Sequence, residues 1–234
     1  MRRLGKLCDV APGKTPSKAA YTSSGDIKIV KFRDVLETGE VDYSNDEEGW
    51  FDSRYADNSD LIDLLPETIL LTNAAHSPEH IGKKVAYVES IPNIANRVCY
   101  VGELTGIRSK MGSLSTRWIF YWLQTSDAKK AIVQAIEGAH LVPREFKRID
   151  VPELSEKEQN RHLTALCAVD DAIAKAKAEL EAARKLKRSL MQTLFVSGMP
   201  SRHSDFVETK IGRVPKGWQI KRVKDVLVDK PING

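Results

Sequence analysis

Two groups of side chains have the residue types of a metal or catalytic site. His76 and His80 are four residues apart, a spacing that lets one helical face direct two imidazoles at a metal ion. Pro78 lies between them and disfavours the regular helix that this arrangement needs. Glu208 and Lys210 have the residue types of a nuclease that binds Mg²⁺, but they lie in a linker without a suitably placed upstream strand. We therefore predict neither a metal site nor a catalytic site here.

One long helix dominates the elements that must position any functional residues. Ser155 followed by Glu158 has the spacing of a capping box, which marks a helix start. Neither Gly nor Pro interrupts the pattern before Ser197, after which Gly198 suits a left-handed terminal residue and Pro200 prevents continuation. At 1.5 Å per residue, such a helix spans on the order of 60 Å. Because this exceeds the length of a helix packed inside one domain, we expect it to connect separate parts.

The helix carries a narrow apolar seam with heptad spacing. Its members are Leu166, Ile173 and Leu180 at position a, with Val169, Ala176, Ala183 and Leu190 at position d. On the flanks, Asp171 precedes Lys175 by four residues and Glu181 precedes Lys185 by four, which predicts ion pairs along the helix. On periodicity alone, a generic coiled-coil dimerisation helix is an equally good interpretation.

A short internal repeat follows the helix. Residues 221–234 (KRVKDVLVDKPING) align in register with residues 2–15 (RRLGKLCDVAPGKT), so that Lys221 matches Arg2 and Pro231 matches Pro12. Chance similarity between two basic, strand-like stretches is the alternative. With the long helix between the two copies, the pattern favours a duplicated unit that is cut short.

Three segments taken together resemble the specificity subunits of type I restriction-modification systems. Residues 149–159 (IDVPELSEKEQ) resemble the entry to the long helix of that family, residues 163–198 resemble the helix, and residues 211–226 (IGRVPKGWQIKRVKDV) resemble the opening of a second recognition domain. Residues 67–88 are similar to a strand, loop and strand of the recognition domain, but lack its glycine-aspartate start and loop glycine. The resemblance covers one of the two units of a complete subunit, which indicates a half-length subunit or a fragment.

The resemblance implies an α+β fold, in which a globular mixed-sheet target-recognition domain precedes a long coiled-coil-forming helix. We expect a recognition domain at 1–148, a helix for dimerisation and spacing at 149–198, and a linker with the truncated start of a second repeat at 199–234. The same resemblance implies a non-catalytic subunit that reads one half of an interrupted site in double-stranded DNA. Its partners would be type I methyltransferase subunits, and the family allows a restriction subunit as a further partner.

Methyl transfer is expected from the partner, because the chain lacks both the glycine-rich cofactor loop and the Asn/Asp-Pro-Pro-aromatic segment of an adenine methyltransferase. S-adenosylmethionine would therefore be bound by the methyltransferase subunit, and this chain would bind no cofactor. Since the chain carries one recognition unit, the second reader would come from a second copy, in a homodimer paired through antiparallel helices. Two other classes stay open: a coiled-coil structural or regulatory protein without DNA readout, and a truncated orphan protein that binds methyltransferase subunits without directing modification.

The implied DNA role leads to a set of candidate contacts. Phosphate contacts need positive charge, whereas base reading needs a side chain directed into a groove. The candidate phosphate ligands are Lys31, Arg33, Lys83, Lys84, Arg108 and Lys110, and the candidate base readers on loops are Asn73, His76, His140 and Arg144. For each of them, a solvated charge or a local turn partner is the alternative interpretation.

Within the globular part, the sequence predicts strands at 26–31, 68–71, 84–88 and 97–101, separated by polar, glycine-containing loops. One helix is predicted to open after Ser115, and a second to open after Ser126 and close at Gly138. The aromatic cluster of the first helix, which includes Trp118 and Trp122, favours core packing over base stacking.

Composition is that of a cytoplasmic protein. The chain is 41% hydrophobic and 29% charged with a net charge of +4, and it has no apolar run of membrane-spanning length and no secretory-signal pattern. The mild positive charge is weak support for nucleic-acid binding. Cys8, Cys99 and Cys167 are widely spaced, which favours reduced, buried thiols over a disulfide framework or a zinc site.

Overall fold

The computed structural model describes residues 1–17, 21–44, 49–54, 60–75, 77–199 and 202–226. By its contacts the chain divides into two units, Met1–Leu166 and Cys167–Gly234. The three-part division expected from the sequence stays a prediction. Strands and helices are numbered here in chain order.

In its described residues the first unit contains twelve strands and four α-helices that lie entirely within it, and its last residues begin a fifth α-helix. The strands are β1 (Arg2–Arg3), β2 (Cys8–Pro12), β3 (Tyr21–Thr22), β4 (Ile27–Val30), β5 (Trp50–Phe51), β6 (Thr68–Thr72), β7 (Val85–Val88), β8 (Arg97–Tyr100), β9 (Leu104–Ser109), β10 (Ile136–Glu137), β11 (His140–Leu141) and β12 (Asp150–Val151). The helices are α1 (Leu4–Leu7), α2 (Thr116–Leu123), α3 (Ser126–Gln134), α4 (Pro143–Phe146) and α5 (Glu156–Ser197).

Two four-stranded sheets form the framework of the first unit. The first has the order β2-β9-β6-β7 and is antiparallel throughout, and the second has the order β3-β5-β4-β8 with β4 parallel to β8. Successive residues of β6 point to opposite faces, as in any strand. Ile69 and Leu71 enter one core, and Leu70 enters the other. Because both faces of the first sheet are covered, all five residues of β6 are buried.

The two cores lie on opposite faces of that first sheet. On one face, α1, α2 and α3 contribute Leu4, Ile119 and Ile132. On the other face, the second sheet contributes Ile29 and Val98, among others. The mixed α+β architecture predicted from the sequence is confirmed, with the layers in the order helices, sheet, sheet.

One close approach inside the second core requires a glycine. A Cβ atom on Gly106 would come within 2.4 Å of the Tyr100 hydroxyl oxygen. That hydroxyl donates to the carbonyl of Ala11 at 3.1 Å, and burial raises the pKa of Tyr100 to about 12. Tyr100 therefore ties β8 to β2 across β9 as a neutral hydrogen-bond donor.

The four predicted strands correspond to β4, β6, β7 and β8. Two strands of the first sheet were not predicted, β2 and β9, because Gly106 and Pro12 interrupt their apolar patterns. The expected end of the second helix was wrong: α3 ends at Gln134, and Gly138 has a φ of +58° in the hairpin that pairs β10 with β11. Its N-cap is Thr125, whose hydroxyl accepts from the amide of Ala128.

Helix α5 begins after Ser155 and ends at Ser197, as the capping signals predicted, but the first residues of the expected helical segment 149–198 are not helical and include β12. The amide of Ser155 donates to the Glu158 carboxylate at 2.9 Å, and the amide of Glu158 donates to the Ser155 hydroxyl at 3.4 Å, as in a capping box. Gly198 follows the last turn with a φ of +68°. One expected ion pair is corrected: Glu181 pairs with Arg184 at 2.7 Å, in place of Lys185. Cys167, expected to be buried, is partly exposed on this helix, whereas Cys8 and Cys99 are buried.

In the second unit, β13 (Phe206–Thr209) and β14 (Gly212–Pro215) form an antiparallel hairpin after α5. Arg222 precedes a short helical turn, as Arg3 precedes α1. The backbone angles of the two residues are similar, φ −71° and ψ 145° for Arg222 and φ −71° and ψ 136° for Arg3. Because residues that precede a helix commonly have such extended angles, the internal repeat stays a prediction. The proposed partner of Pro12, Pro231, lies outside the described residues. Val223 is 71% exposed, whereas its counterpart Leu4 is fully buried. Among the described helices, none is long and apolar enough to cross a bilayer.

Candidate nucleic-acid interface

The strand register brings several loops to one end of the first unit. In the first sheet, Thr72 at the end of β6 lies opposite Leu104 at the start of β9, and β7 starts nearby at Val85. In the second sheet, the amide of Val101 donates to the carbonyl of Val30, so β4 and β8 end together at the same place. We call this end the loop edge, and it comprises residues 13–17, 31–34, 73–75, 77–84, 101–103 and 136–141.

Four of the predicted cations form a cluster on the loop edge. The amine of Lys84 donates to the carbonyl of Phe32 at 3.2 Å and lies 4.5 Å from the centre of that ring. Its neighbour Lys83 pairs with Glu37 at 3.5 Å. The lining of a surface pocket of about 180 Å³ here consists of Phe32, Glu37, His80, Lys83 and Lys84. The loop after β4 and the loop before β7 therefore present their charges side by side.

The other two members of this cluster leave β4. Lys31 places its amine 4.3 Å from the centre of the Tyr21 ring, and its backbone amide donates to the Asp34 carboxylate at 2.7 Å. Arg33 is about half exposed and its guanidinium lies 3.8 Å from Asp34. Contacts of this kind orient the long side chains without removing them from solvent, so both remain accessible to a phosphate.

Asn73 does not present its amide to solvent as a loop base reader would. It is 8% exposed, and its side-chain nitrogen donates to the Thr105 hydroxyl at 2.7 Å. Its backbone carbonyl accepts from the amide of Leu141 at 2.7 Å. In this structure Asn73 joins β6, β9 and the β10–β11 hairpin, which is a structural role.

His140 does occupy the loop edge. It is exposed on β11 and forms an isolated bridge with Ala74 in the β6–β7 loop. Arg144 is also well exposed, one turn further on in α4, where its guanidinium lies 3.9 Å from the carboxylate of Glu145. His76 lies outside the described residues. Within the described part of the chain, no group of three or more candidate ligands is arranged to hold a metal ion.

Arg108 and Lys110 lie away from the loop edge. Arg108 is on β9 opposite Asp9, and Lys110 directly follows β9. The Lys110 amine donates to the carbonyl of Gly5 at 3.1 Å and lies 3.7 Å from Asp9. Since a strand rises about 3.3 Å per residue, this end of β9 is roughly 15 Å from the loop edge.

Two further exposed side chains of the loop edge, Lys14 and His80, were not among the DNA-contact candidates of the sequence analysis. Lys14 follows β2, and its amide donates to the carbonyl of Tyr100 at 3.2 Å. His80 lies in the short helical turn of the β6–β7 loop, about half exposed. A lysine directly after a strand would have indicated Lys14, but β2 itself was not predicted. Exposed acidic residues also lie on this edge, among them Glu79 and Glu103, and Glu37 pairs with Lys83 beside it, so the surface carries mixed charge.

The predicted seam of α5 is uncovered in the single chain. Leu166, Ile173 and Leu180 are 39%, 47% and 51% exposed, and Val169 and Leu190 are 56% and 49% exposed. Ala176 and Ala183 are exposed between them. A row of large apolar side chains in solvent is unfavourable, and such faces in stable proteins are commonly covered by another surface.

Comparison with known proteins identifies the family that these features resemble. The chain is 25% identical over 236 residues to the MjaIX type I restriction enzyme specificity subunit of Methanocaldococcus jannaschii, a match that covers 97% of this chain and 51% of that protein. The MjaVIII specificity subunit of the same organism is 25% identical over 111 residues, which is 47% of this chain and 26% of that protein. The chain is homologous to type I restriction enzyme specificity subunits. No family model matches it.

The fold agrees with that homology. A crystal structure of the type I restriction-modification S subunit from M. genitalium superposes with a TM-score of 0.56 at 18% identity, covering 83% of this chain and 45% of that one. A structure from a study of type I R-M complex assembly and conformational transition gives a TM-score of 0.55 at 17% identity, covering 84% of this chain and 45% of that one. The chain thus spans about half the length of the specificity subunits it matches.

Proposed function

We propose that this chain is a non-catalytic DNA-recognition subunit, which reads one half of an interrupted site in double-stranded DNA for a type I system. The observation that carries the proposal is its homology to a specificity subunit along nearly its whole length. The order of elements supports it, since a two-sheet domain with a cationic loop edge precedes a helix of 42 residues. Half-sites about one DNA turn apart lie on one face of the duplex, so a rigid helical spacer suits two readers in register.

The loop edge is the proposed DNA-facing surface. Lys31, Arg33, Lys83 and Lys84 would contact phosphates, and His140, which is exposed on this edge, would contact a base. We also assign a phosphate contact to Lys14. Arg108 and Lys110 stay candidates for a separate contact at the other end of β9.

Methyl transfer belongs, in this proposal, to partner subunits. Type I methyltransferase subunits would dock on the outer faces of α5, which is exposed along most of its length. They would bring S-adenosylmethionine, and a restriction subunit is a further partner of the same complex. This chain would contribute the choice of sequence and the spacing.

The second reader would be a second copy of this chain. The exposed seam of α5 suits antiparallel pairing, which places position a of one helix opposite position d of the other. With the two-fold axis between Ala174 and Lys175, Leu166 lies opposite Ala183, Ile173 opposite Ala176, and Leu180 opposite Val169. In these three pairs a large residue faces a smaller one, which allows close packing. Identical readers related by this axis require a palindromic site.

Charge favours the same register. Asp170 and Lys177 flank the seam on one side, and in this alignment each Asp170 lies beside Lys177 of the other helix. Sliding the pair by one heptad toward the C-terminus would instead place Lys177 beside its own copy and Glu179 beside its own copy. That alternative would keep favourable pairs between Asp170 and Arg184, but only the proposed register avoids both like-charge contacts.

The test is to co-express the chain with a cognate methyltransferase subunit and to map methyladenine across the host genome. A palindromic motif with two identical halves at a fixed gap is expected. New methylation at an asymmetric site would contradict the homodimer. Binding of the methyltransferase subunit without new methylation would favour the truncated orphan protein, and the absence of both that binding and salt-dependent DNA binding would favour a structural coiled-coil protein.

A further inference from the structure

Helix α5 has a single buried side chain, and that side chain is polar. Every residue of α5 is described, and Gln159 alone among them is buried, at 7% exposure. Its side-chain oxygen accepts from the backbone amide of Ser115 at 2.8 Å, and its side-chain nitrogen donates to the carbonyl of Leu154 at 3.2 Å. A buried amide is tolerated when its donor and acceptor are both satisfied, as they are here.

The residue that Gln159 contacts is the N-cap of α2. Ser115 makes no capping hydrogen bond with its own side chain. One turn further on, the indole N–H of Trp118 donates to Nδ1 of His162 at 3.3 Å. Ser115 and Trp118 are three residues apart on α2, and Gln159 and His162 are three residues apart on α5, so each pair lies on one helical face. We call these four residues the helix joint.

Two contacts along one face constrain a helix more than one contact does. A single hydrogen bond fixes a point and leaves rotation about it, whereas a second bond one turn away also fixes direction. Leu154 and Leu163, which flank the α5 residues of the joint in sequence, are partly buried and pack against the core. The first turns of α5 are therefore held as part of the first unit, which extends to Leu166.

We propose that Gln159 is a positioning residue, which sets the direction in which the spacer helix leaves the recognition domain and thereby the gap between the two half-sites. This inference rests on the proposed function. In the proposed antiparallel pair the joints of the two copies lie roughly 45 Å apart along the helices, so a rotation of about 10° at one joint would move the other by roughly 8 Å, which is about two base pairs of DNA. A small rotational freedom of α5 at Gln159 would therefore allow the dimer to bind half-sites separated by several different gap lengths.

The test uses Gln159→Met, which keeps the length of the side chain and removes both of its hydrogen bonds. The exposed neighbour Asn160→Leu is the matched control, because it also replaces an amide by an apolar group on α5. His162→Ala is a second variant at an exposed position, so folding does not depend on it, and it removes the acceptor of Trp118.

The first readout does not depend on DNA modification. Spin labels are attached to unnatural residues that replace Lys129 of α3 and Ala178 of α5, both of which are exposed. The distribution of distances between the two labels reports how the spacer moves relative to the recognition domain. Labelled chain is diluted with excess unlabelled chain, so that only distances within one chain are measured. We expect a narrow distribution for the full wild-type chain and for Asn160→Leu, and a distribution at least twice as broad for Gln159→Met. His162→Ala should fall between them. Equal widths in all four proteins would overturn the proposal.

The second readout separates this proposal from the proposed function. In a methylome map, Gln159→Met should modify the same half-sites at several gap lengths, while wild type modifies one. If wild type directs no methylation but the distances broaden as expected, the proposed function fails and the joint stands. If wild type methylates at one gap and Gln159→Met keeps that gap with unbroadened distances, the joint is overturned and the recognition role stands.

Discussion

Ala74 and His140 form an isolated antiparallel β-bridge, which is not part of any strand pairing in the sheets. The bridge is continued by the amide of Leu141, which donates to the carbonyl of Asn73 at 2.7 Å. It joins the β6–β7 loop to the β10–β11 hairpin, two segments far apart in sequence. The loop edge is consequently one connected surface, so the effects of substitutions at its different residues on DNA binding can be compared directly.

Lys83 on the loop edge and Arg108 near the other end of β9 are far enough apart for the salt dependence of DNA binding to distinguish them. Lys83→Ala should reduce the slope of log K against log salt for DNA binding by about 1, because one phosphate contact and its released counterion are lost. Arg108→Ala removes an equal charge roughly 15 Å away along β9 and should leave the slope unchanged. Both slopes are measured by titrating labelled duplex DNA at several salt concentrations. An equal loss of slope in Arg108→Ala would extend the interface to that end of the domain.

Substitution of Asn73 distinguishes a role in stabilising the fold from a role in reading a DNA base. Asn73→Ala should lower the free energy of unfolding by about 1–3 kcal/mol, since the buried hydroxyl of Thr105 loses its hydrogen-bond partner. The matched control is His140→Ala, which is exposed on the same surface and should change stability by less than about 0.5 kcal/mol. Urea denaturation measures both. Unchanged stability in Asn73→Ala, combined with relaxed sequence preference, would assign Asn73 to base reading instead.

Sequence reasoning succeeded where a local pattern was decisive. The capping box at Ser155, the left-handed Gly198 and the apolar strands of β6 and β7 each carry their own signal within a few residues. It failed for β9, whose Gly106 is required by the hydroxyl of Tyr100 on β8 in the other sheet, because the sequence does not show how the two sheets pack. Asn73 was expected to present its amide from a loop, and it is buried instead for the same reason, since strand pairing decides which residues meet.

The proposed dimer register is tested by exchanging charges. Asp170→Lys should weaken dimerisation, because it places two lysines beside each other across the pair, and Asp170→Lys with Lys177→Asp should restore it. Asp171→Lys changes the charge equally on the outer face of the helix and is the control. Sedimentation equilibrium at low salt gives the dissociation constants. Failure of the double exchange to recover affinity would refute this register.

The seam itself is tested by Ile173→Asp combined with Leu180→Asp. These side chains are about half exposed in the single chain, so the substitutions should leave the fold of the single chain intact. They should abolish the dimer, because pairing would bury the new carboxylates among apolar side chains. Light scattering measures the mass, and circular dichroism checks that the helix persists. A dimer that survives both substitutions would place the contact elsewhere on the chain.

Thiol reactivity should separate the three cysteines. Burial, with the nearby charge of Asp9, raises the pKa of Cys8 to about 12. Burial, with the hydrogen bond to Asp63, raises the pKa of Cys99 to about 12. Because the thiolate is the reactive species, both should resist alkylation near pH 8, while the partly exposed Cys167 reacts. Mass spectrometry should find one rapid modification in the native protein, none in Cys167→Ser, and two in that variant after unfolding.

The capping box should make the start of α5 sensitive to acid. Hydrogen bonds from the Ser155 hydroxyl and then from its amide lower the pKa of Glu158. A carboxylate whose folded pKa lies below its unfolded value of about 4.3 stabilises the folded form above that pH, and the stabilisation is lost as the pH falls through the folded pKa. Hydrogen exchange of the first turn of α5, corrected for intrinsic rates, should therefore accelerate between about pH 5 and pH 3. Ser155→Ala lacks the hydroxyl that contributes most to the shift, so its acceleration should begin at a higher pH. An identical pH profile in the two proteins would show that the capping box does not control the opening of this turn.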